Sequence, residues 1–390
     1  RAGAEYGLTF ALPIVLVCLL KYPVFRFAAV YAAATGNTLI EGYARRGRGL
    51  VAFMLAAALL EGLGAVAGVG LVTAGIAKLI LGLHLTDLTA TLGLLAGTAA
   101  LLLVGRYRVL ENLTRVFVVA FSVLTVAATV AALPSLAAST TPLAAPFVLD
   151  AAGWSFLLAV SGWMPIGNVA SIMLAAWVCA KSQALGRRVA VSEARFDVDL
   201  GYFASLLLAL CFLLMGTGVL LGRGIALPAG SADFAALLVK VFAATIGAWV
   251  RWPVAVAALA VMYSTLLAIM DGFPRLYADF GRQLGLLSRA PDHHDRQYRA
   301  LLLAVPVFAG GLLRFFLTSF GAFIDLVTTV AFMVAPVVAL VNQKVVTSEE
   351  VPAEYRPSRL LLQWNQLAIG LLVVASLAYL YLKLGSGAPP

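Results

Sequence analysis

Charge is scarce in this chain of 390 residues: Asp, Glu, Lys and Arg together make up 12% of it, against about 25% in soluble domains. That shortage argues against the two or three soluble domains that length alone would suggest. Cysteine is scarce too. Its three residues, Cys18, Cys179 and Cys211, lie inside apolar segments, which reads as buried thiols and excludes a disulfide framework or a cysteine zinc site. The sequence also lacks a hydrolase triad, a phosphate-cradling loop and a zinc-protease helix, so an enzyme reading has no residues to rest on. A net charge of +9 would suit nucleic acid. Its arginines, however, sit in short loops between apolar segments, without the basic face or interleaved aromatics that such binding needs. No nucleic-acid partner is expected.

What the chain has in excess is apolar sequence, 62% of its residues. Ten runs are long enough to cross a bilayer, which takes about 20 residues. They lie at 8–33, 50–82, 87–104, 112–133, 152–180, 200–222, 251–281, 301–317, 320–342 and 361–383. Lipid offers backbone N–H and C=O groups no partner outside their own segment, so each run must be helical. The expected class is an all-α polytopic membrane protein, with the lipid bilayer as its constant partner.

Loop charge sets the orientation. One alternating set of connections holds Arg45, Arg46 and Arg48; Arg106 and Arg108; Lys181, Arg187, Arg188 and Arg195; Arg282, Arg289, Arg296 and Arg299; and Lys344, Arg356 and Arg359. The opposite set holds little beyond Arg1, Arg223 and Lys240. The excess of positive charge places the first set in the cytoplasm, as for a multi-pass protein of the cell inner membrane. Arg1 then falls outside, and one further helix ahead of it is expected. Among the longer connections, Ser231–Ala244 has the composition of a small external helix.

Four places break the apolar pattern. Ser161-Gly-Trp-Met-Pro-Ile-Gly-Asn168 lies in the middle of the fifth run. Pro165 removes a backbone donor there, and Gly162 and Gly167 lower the cost of unwinding. The segment is either a proline kink or a break whose freed carbonyls could hold a cation. Glu61 is an intramembrane carboxylate, which either faces a polar pathway or pairs with a buried donor. Gly64 and Gly68 beside it have the spacing of a close helix contact. Asp271 and Asp325 either line a cation route or pair with an interfacial arginine such as Arg275 or Arg314. Asp292-His-His-Asp295 has metal-ligand chemistry but no third cluster to complete a site, and reads as a solvated loop.

Several segments, in order and at matching spacing, resemble the NRAMP family of proton-coupled divalent transition-metal transporters. Ala2-Gly-Ala-Glu-Tyr-Gly7 through Ala33-Ala-Thr-Gly36 is similar to the end of that family's first helix and all of its second. Tyr22-Pro23, Arg26-Phe27 and Ala33-Ala-Thr-Gly-Asn-Thr-Leu-Ile-Glu-Gly42 look most like its divergent, magnesium-transporting relatives. Gly105-Arg-Tyr-Arg-Val-Leu-Glu111 resembles the loop before the fifth helix, and Arg195-Phe-Asp197 the approach to the seventh.

The resemblance implies a LeuT-like fold of two inverted five-helix repeats plus an extra C-terminal helix. In this single transmembrane domain, 1–133 would be the remainder of the first repeat and 148–342 the second, with the broken helix at 152–180. The added helix would be 360–384. It implies a secondary transporter working by alternating access, with the divalent metal ion as substrate and no cofactor. The family's Ala-x-x-Met-Pro-His maps onto Ser161, Met164, Pro165 and Ile166, so that Ser161, Gly162 and Met164 would meet the ion, with Glu61, Asn168, Asp271 and Asp325 as pathway candidates. Ile166 stands where the family has a histidine and Ala58 where it has an acid, which implies weak or absent proton coupling. The Met164 thioether suits manganese or iron over magnesium, whereas the overall divergence points to the magnesium-transporting relatives. A LeuT-fold carrier or binding protein for a non-metal substrate is the remaining alternative. Oligomeric state is left open.

Overall fold

The computed structural model describes residues 1–105, 108–137, 143–225, 228, 231–316 and 320–385. Among these the only extended pairing is an isolated bridge between Gly7 and Ala144. The rest is helix and short connection: α1 (Ala2–Glu5), α2 (Ala11–Thr35), α3 (Leu39–Ala44), α4 (Arg48–Leu81), α5 (Asp87–Val104), α6 (Arg108–Ala137), α7 (Ala151–Trp163), α8 (Ala170–Leu185), α9 (Val191–Met215), α10 (Ser231–Ile246), α11 (Arg251–Leu284), α12 (His294–Phe316), α13 (Phe320–Val346) and α14 (Arg359–Gly385). Arg106 of the second basic loop lies outside the described residues.

Nine helical stretches among the described residues are long and apolar enough to span a bilayer. The tenth run, 152–180, is divided between α7 and α8. The chain is thus a multi-pass helical membrane protein. Helix ends follow local chemistry. α2 stops where Gly36 takes up the left-handed conformation at φ 75°, which costs glycine nothing. α3 starts at Thr38, whose hydroxyl accepts from the Glu41 N–H while the Glu41 carboxylate accepts from the Thr38 N–H, a reciprocal cap.

Two boundaries differ most from the apolar runs. α9 begins at Val191 and α12 at His294, several residues before the runs at 200 and 301. The added turns carry charge, with pairs such as Lys181–Asp197 and Arg299–Asp295, although Val191 and Ala194 of α9 are themselves buried; hydropathy ends at the interface, but backbone hydrogen bonding does not. α10 lies where a small helix was expected, its Val239, Val241 and Phe242 packed with Ala128 and Met215.

α4 lies along α11, α7 along α13, and α2 against α8, α9 and α13. The small residues of α4 make this possible. Gly62 sits against Phe273 and Tyr277 of α11, and Gly64 and Gly68 against Val327 and Ile324 of α13. Close packing of this kind holds membrane helices together where lipid removes any hydrophobic advantage. It also brings Glu61 to the gap between α7 and α8.

Candidate functional site at the interrupted helix

α7 ends at Trp163 and α8 begins at Ala170, so the interval 164–169 has no continuous helical ladder. The chemistry anticipated from sequence is in place. Pro165 has no N–H to give, and Met164 is extended at φ −90°, ψ 127°. A Cβ on Gly162 would overlap the Thr328 carbonyl of α13, and one on Gly167 would overlap Glu61 Oε1. These two glycines let backbone and carboxylate approach where no other residue fits. In the first turn of α8, the N–H and hydroxyl of Ser171 both reach the Asn168 carbonyl, at 3.0 and 2.7 Å.

An interrupted helix leaves carbonyls at one end and N–H groups at the other. Each end here meets a charge of the complementary sign. Lys21 of α2 is fully buried, and its ammonium donates to the carbonyls of Ser161 (3.3 Å), Gly162 (2.9 Å) and Ile166 (2.8 Å). Three donors meet three acceptors, which satisfies the group. Glu61 is buried on the far side, with the Val169 N–H directed at its carboxylate. Cation at the C-terminal end of α7 and anion at the N-terminal end of α8 is the arrangement that helix dipoles favour.

Beside the break lies a cavity of about 640 Å³ whose lining includes Glu61, Trp163, Ile166, Met173 and Trp177. A second, of about 610 Å³, is more polar, with Glu41, Asp279, Arg282 and His294 on its walls. Met173 and Trp177 belong to both, and the second cavity lies toward the arginine-rich loops.

Of the residues singled out from sequence, Ser161, Gly162, Glu61 and Asn168 gather at the break. The Asn168 amide donates to the Ala331 carbonyl at 3.2 Å, while its Oδ1 is buried with no protein partner. Met164 lies in the interval, but its side chain packs against the apolar core and is not part of the cavity lining. Asp271 and Asp325 lie elsewhere. Asp271 accepts from Arg275 (2.8 and 2.9 Å) and from the Tyr298 hydroxyl (2.6 Å). Asp325 pairs with Arg1 at 3.1 Å, not with Arg314. Asp295 pairs with Arg299 at 3.0 Å, and among the described residues no group of three His, Cys, Asp or Glu is placed to hold a metal.

Two features escaped the sequence reading. One is a buried polar chain in which the Tyr43 hydroxyl donates to Asn342 Oδ1 (2.5 Å), and Asn342 Nδ2 donates to the Val24 carbonyl (3.3 Å) and Ser171 Oγ (3.2 Å). The other is Lys21. It stands near the midpoint of the span Leu8–Thr35, and an intramembrane ionisable residue is a functional candidate by position alone.

No family model matches the chain. The "uncharacterized protein PM0681" of Pasteurella multocida (strain Pm70) is 29% identical over 394 residues, spanning 99% of this chain and 88% of that protein. Among solved structures, two mutants of the Eremococcus coleocola manganese transporter superpose with TM-scores of 0.65 and 0.63. The same transporter in complex with an aromatic bis-isothiourea substituted compound gives 0.62. Each is 14% identical and is covered over 83% of its length, against 99–100% of this chain. The fold of this chain is therefore the LeuT-like helical fold of those transporter structures.

Proposed function

We propose that this chain is a secondary transporter that moves a divalent metal cation across the membrane by alternating access, with the α7–α8 interruption as the place where the ion is held. The observation that carries the reading is the break itself: the backbone carbonyls of Ser161 and Gly162 converge on the Lys21 ammonium, near the middle of the span Leu8–Thr35 and beside a cavity lined in part by Glu61. Unwound carbonyls are what LeuT-like transporters use to bind cations. The manganese transporter neighbours and the resemblance to NRAMP sequences support a metal as substrate. The resemblance assigns the Met164 thioether to the ion, and a soft sulfur favours manganese or iron over magnesium; that role requires the side chain to leave the apolar packing it has here. Ala58 and Ile166 hold no proton at the positions where the resemblance places titratable groups, so coupling to protons is weak or absent in this reading.

The test is Mn²⁺ influx into liposomes containing the full-length protein, read by quenching of an enclosed metal-sensitive dye beside an enclosed pH dye. Saturable quenching without luminal acidification, lost in Gly162→Ala, is the expected result. Quenching no faster than in protein-free liposomes would end the metal reading. The apolar walls of the cavity beside Glu61, among them Phe25, Leu174 and Trp177, favour a second reading, a small organic cation. Competition by alkylammonium ions for uptake, in the absence of any effect of Mn²⁺, would identify it.

A further inference from the structure

The interrupted helix already holds a cation of the protein's own. Lys21 has no exposed surface, and its ammonium is directed inward to the break, not toward a membrane interface as for a snorkelling lysine. Its three acceptors come from both parts of the break, Ser161 and Gly162 in the last turn of α7 and Ile166 in the interval. Convergent carbonyls without a regular helical partner are the ligands a free cation would use in such a fold. Glu61 supplies the balancing charge from α4 and is held at the other half-helix by the close approach that Gly167 allows. The ammonium, the carbonyls and the carboxylate together form a cation site complete in itself.

We propose that Lys21 is a tethered cation that occupies the carbonyl seat of the broken helix and competes directly with any free cation for it, which makes Lys21 a specificity-determining residue. This rests on the reading of the break as the ion-holding site. Two physical terms enforce the competition. The carbonyl oxygens that would face a metal ion accept from the Lys21 ammonium at 2.8–3.3 Å, and like charges a few ångströms apart in a medium of low polarity repel strongly. A dication can therefore take the seat only by displacing the ammonium, and a tethered charge weakens its binding without being consumed.

The test compares Mn²⁺ affinity, by isothermal titration at fixed pH, of the full-length protein and its Lys21→Met and Lys21→Gln variants; the second keeps an amide donor for the carbonyls should the first not fold. A gain of at least tenfold, about 1.4 kcal/mol, is expected in either variant, and Lys21→Arg should show none. Where the wild type binds Mn²⁺ measurably, equal or weaker binding in the neutral variants would overturn the proposal while leaving metal transport intact. A second readout needs no metal. In chelator-treated buffer, propylammonium should raise the thermal midpoint of Lys21→Ala and leave the wild type unmoved. Stabilisation by propylammonium without Mn²⁺ binding to any variant would uphold the tethered cation and remove the metal reading. Failure of both readouts would overturn the tethered cation as well.

Discussion

Removing both charges at the break should cost less than the two single removals added together. Lys21→Met deprives three carbonyls of their donor and leaves Glu61 buried without its balancing cation. An unmet buried acceptor costs about 1–3 kcal/mol, and an uncompensated buried charge about 3–5 kcal/mol. Of the three carbonyls only that of Ile166 belongs to a residue lining the cavity and recovers part of its loss from solvent, so a total of at least about 3–5 kcal/mol is expected for Lys21→Met. Glu61→Gln keeps the shape beside Gly167 but leaves the ammonium uncompensated, at about 3 kcal/mol by the same argument. In the double variant neither charge remains, and the loss should fall short of the sum by at least about 1.5 kcal/mol. The assay is denaturant unfolding in detergent, in chelator and without small cations that could take the vacated carbonyls. Independent sites add to within about 0.5 kcal/mol. Additive losses would therefore refute the claim that the break is held by two mutually dependent charges.

Other consequences can be checked separately. Gly162→Ala should displace the α7 end from Thr328 and lower the unfolding midpoint, with a cost of about 1–3 kcal/mol for overpacking; an unchanged midpoint would show that α13 can yield. Tyr43→Phe leaves Asn342 Oδ1 without its donor and should destabilise by about 1–3 kcal/mol, measured in the same unfolding assay, whereas Tyr381→Phe on the exposed face should not. Met164→Ala should weaken Mn²⁺ about tenfold and Mg²⁺ hardly at all in paired titrations, since sulfur discriminates between the two ions. Equal loss for both would assign Met164 to core packing alone.

The helical architecture was legible because lipid leaves a chain few options: a long apolar run has to be helical to satisfy its own backbone. Pro165 and its flanking glycines mark the place, but they fit a kink as well as a break, and the reason for those glycines was not legible. Gly162 faces a carbonyl of α13 and Gly167 a carboxylate of α4, contacts made only once distant helices pack. Glu61 stood out as a carboxylate in an apolar run. Lys21 has the same property, one cation within an apolar run, directly before Tyr22-Pro23. Its acceptors lie about 140 residues downstream and are backbone atoms, which no side-chain pattern reveals. Proximity in sequence pairs Asp325 with Arg314, whereas the fold brings Arg1 to it across the whole chain.

The most direct test of the account is the position of a bound ion. Manganese-edge anomalous diffraction from the full-length protein crystallised with Mn²⁺ should show a peak beside the Ser161 and Gly162 carbonyls, stronger in Lys21→Met than in the wild type. A peak only at some other place in both proteins, or none in either, would contradict the claim that the interrupted helix holds the transported ion.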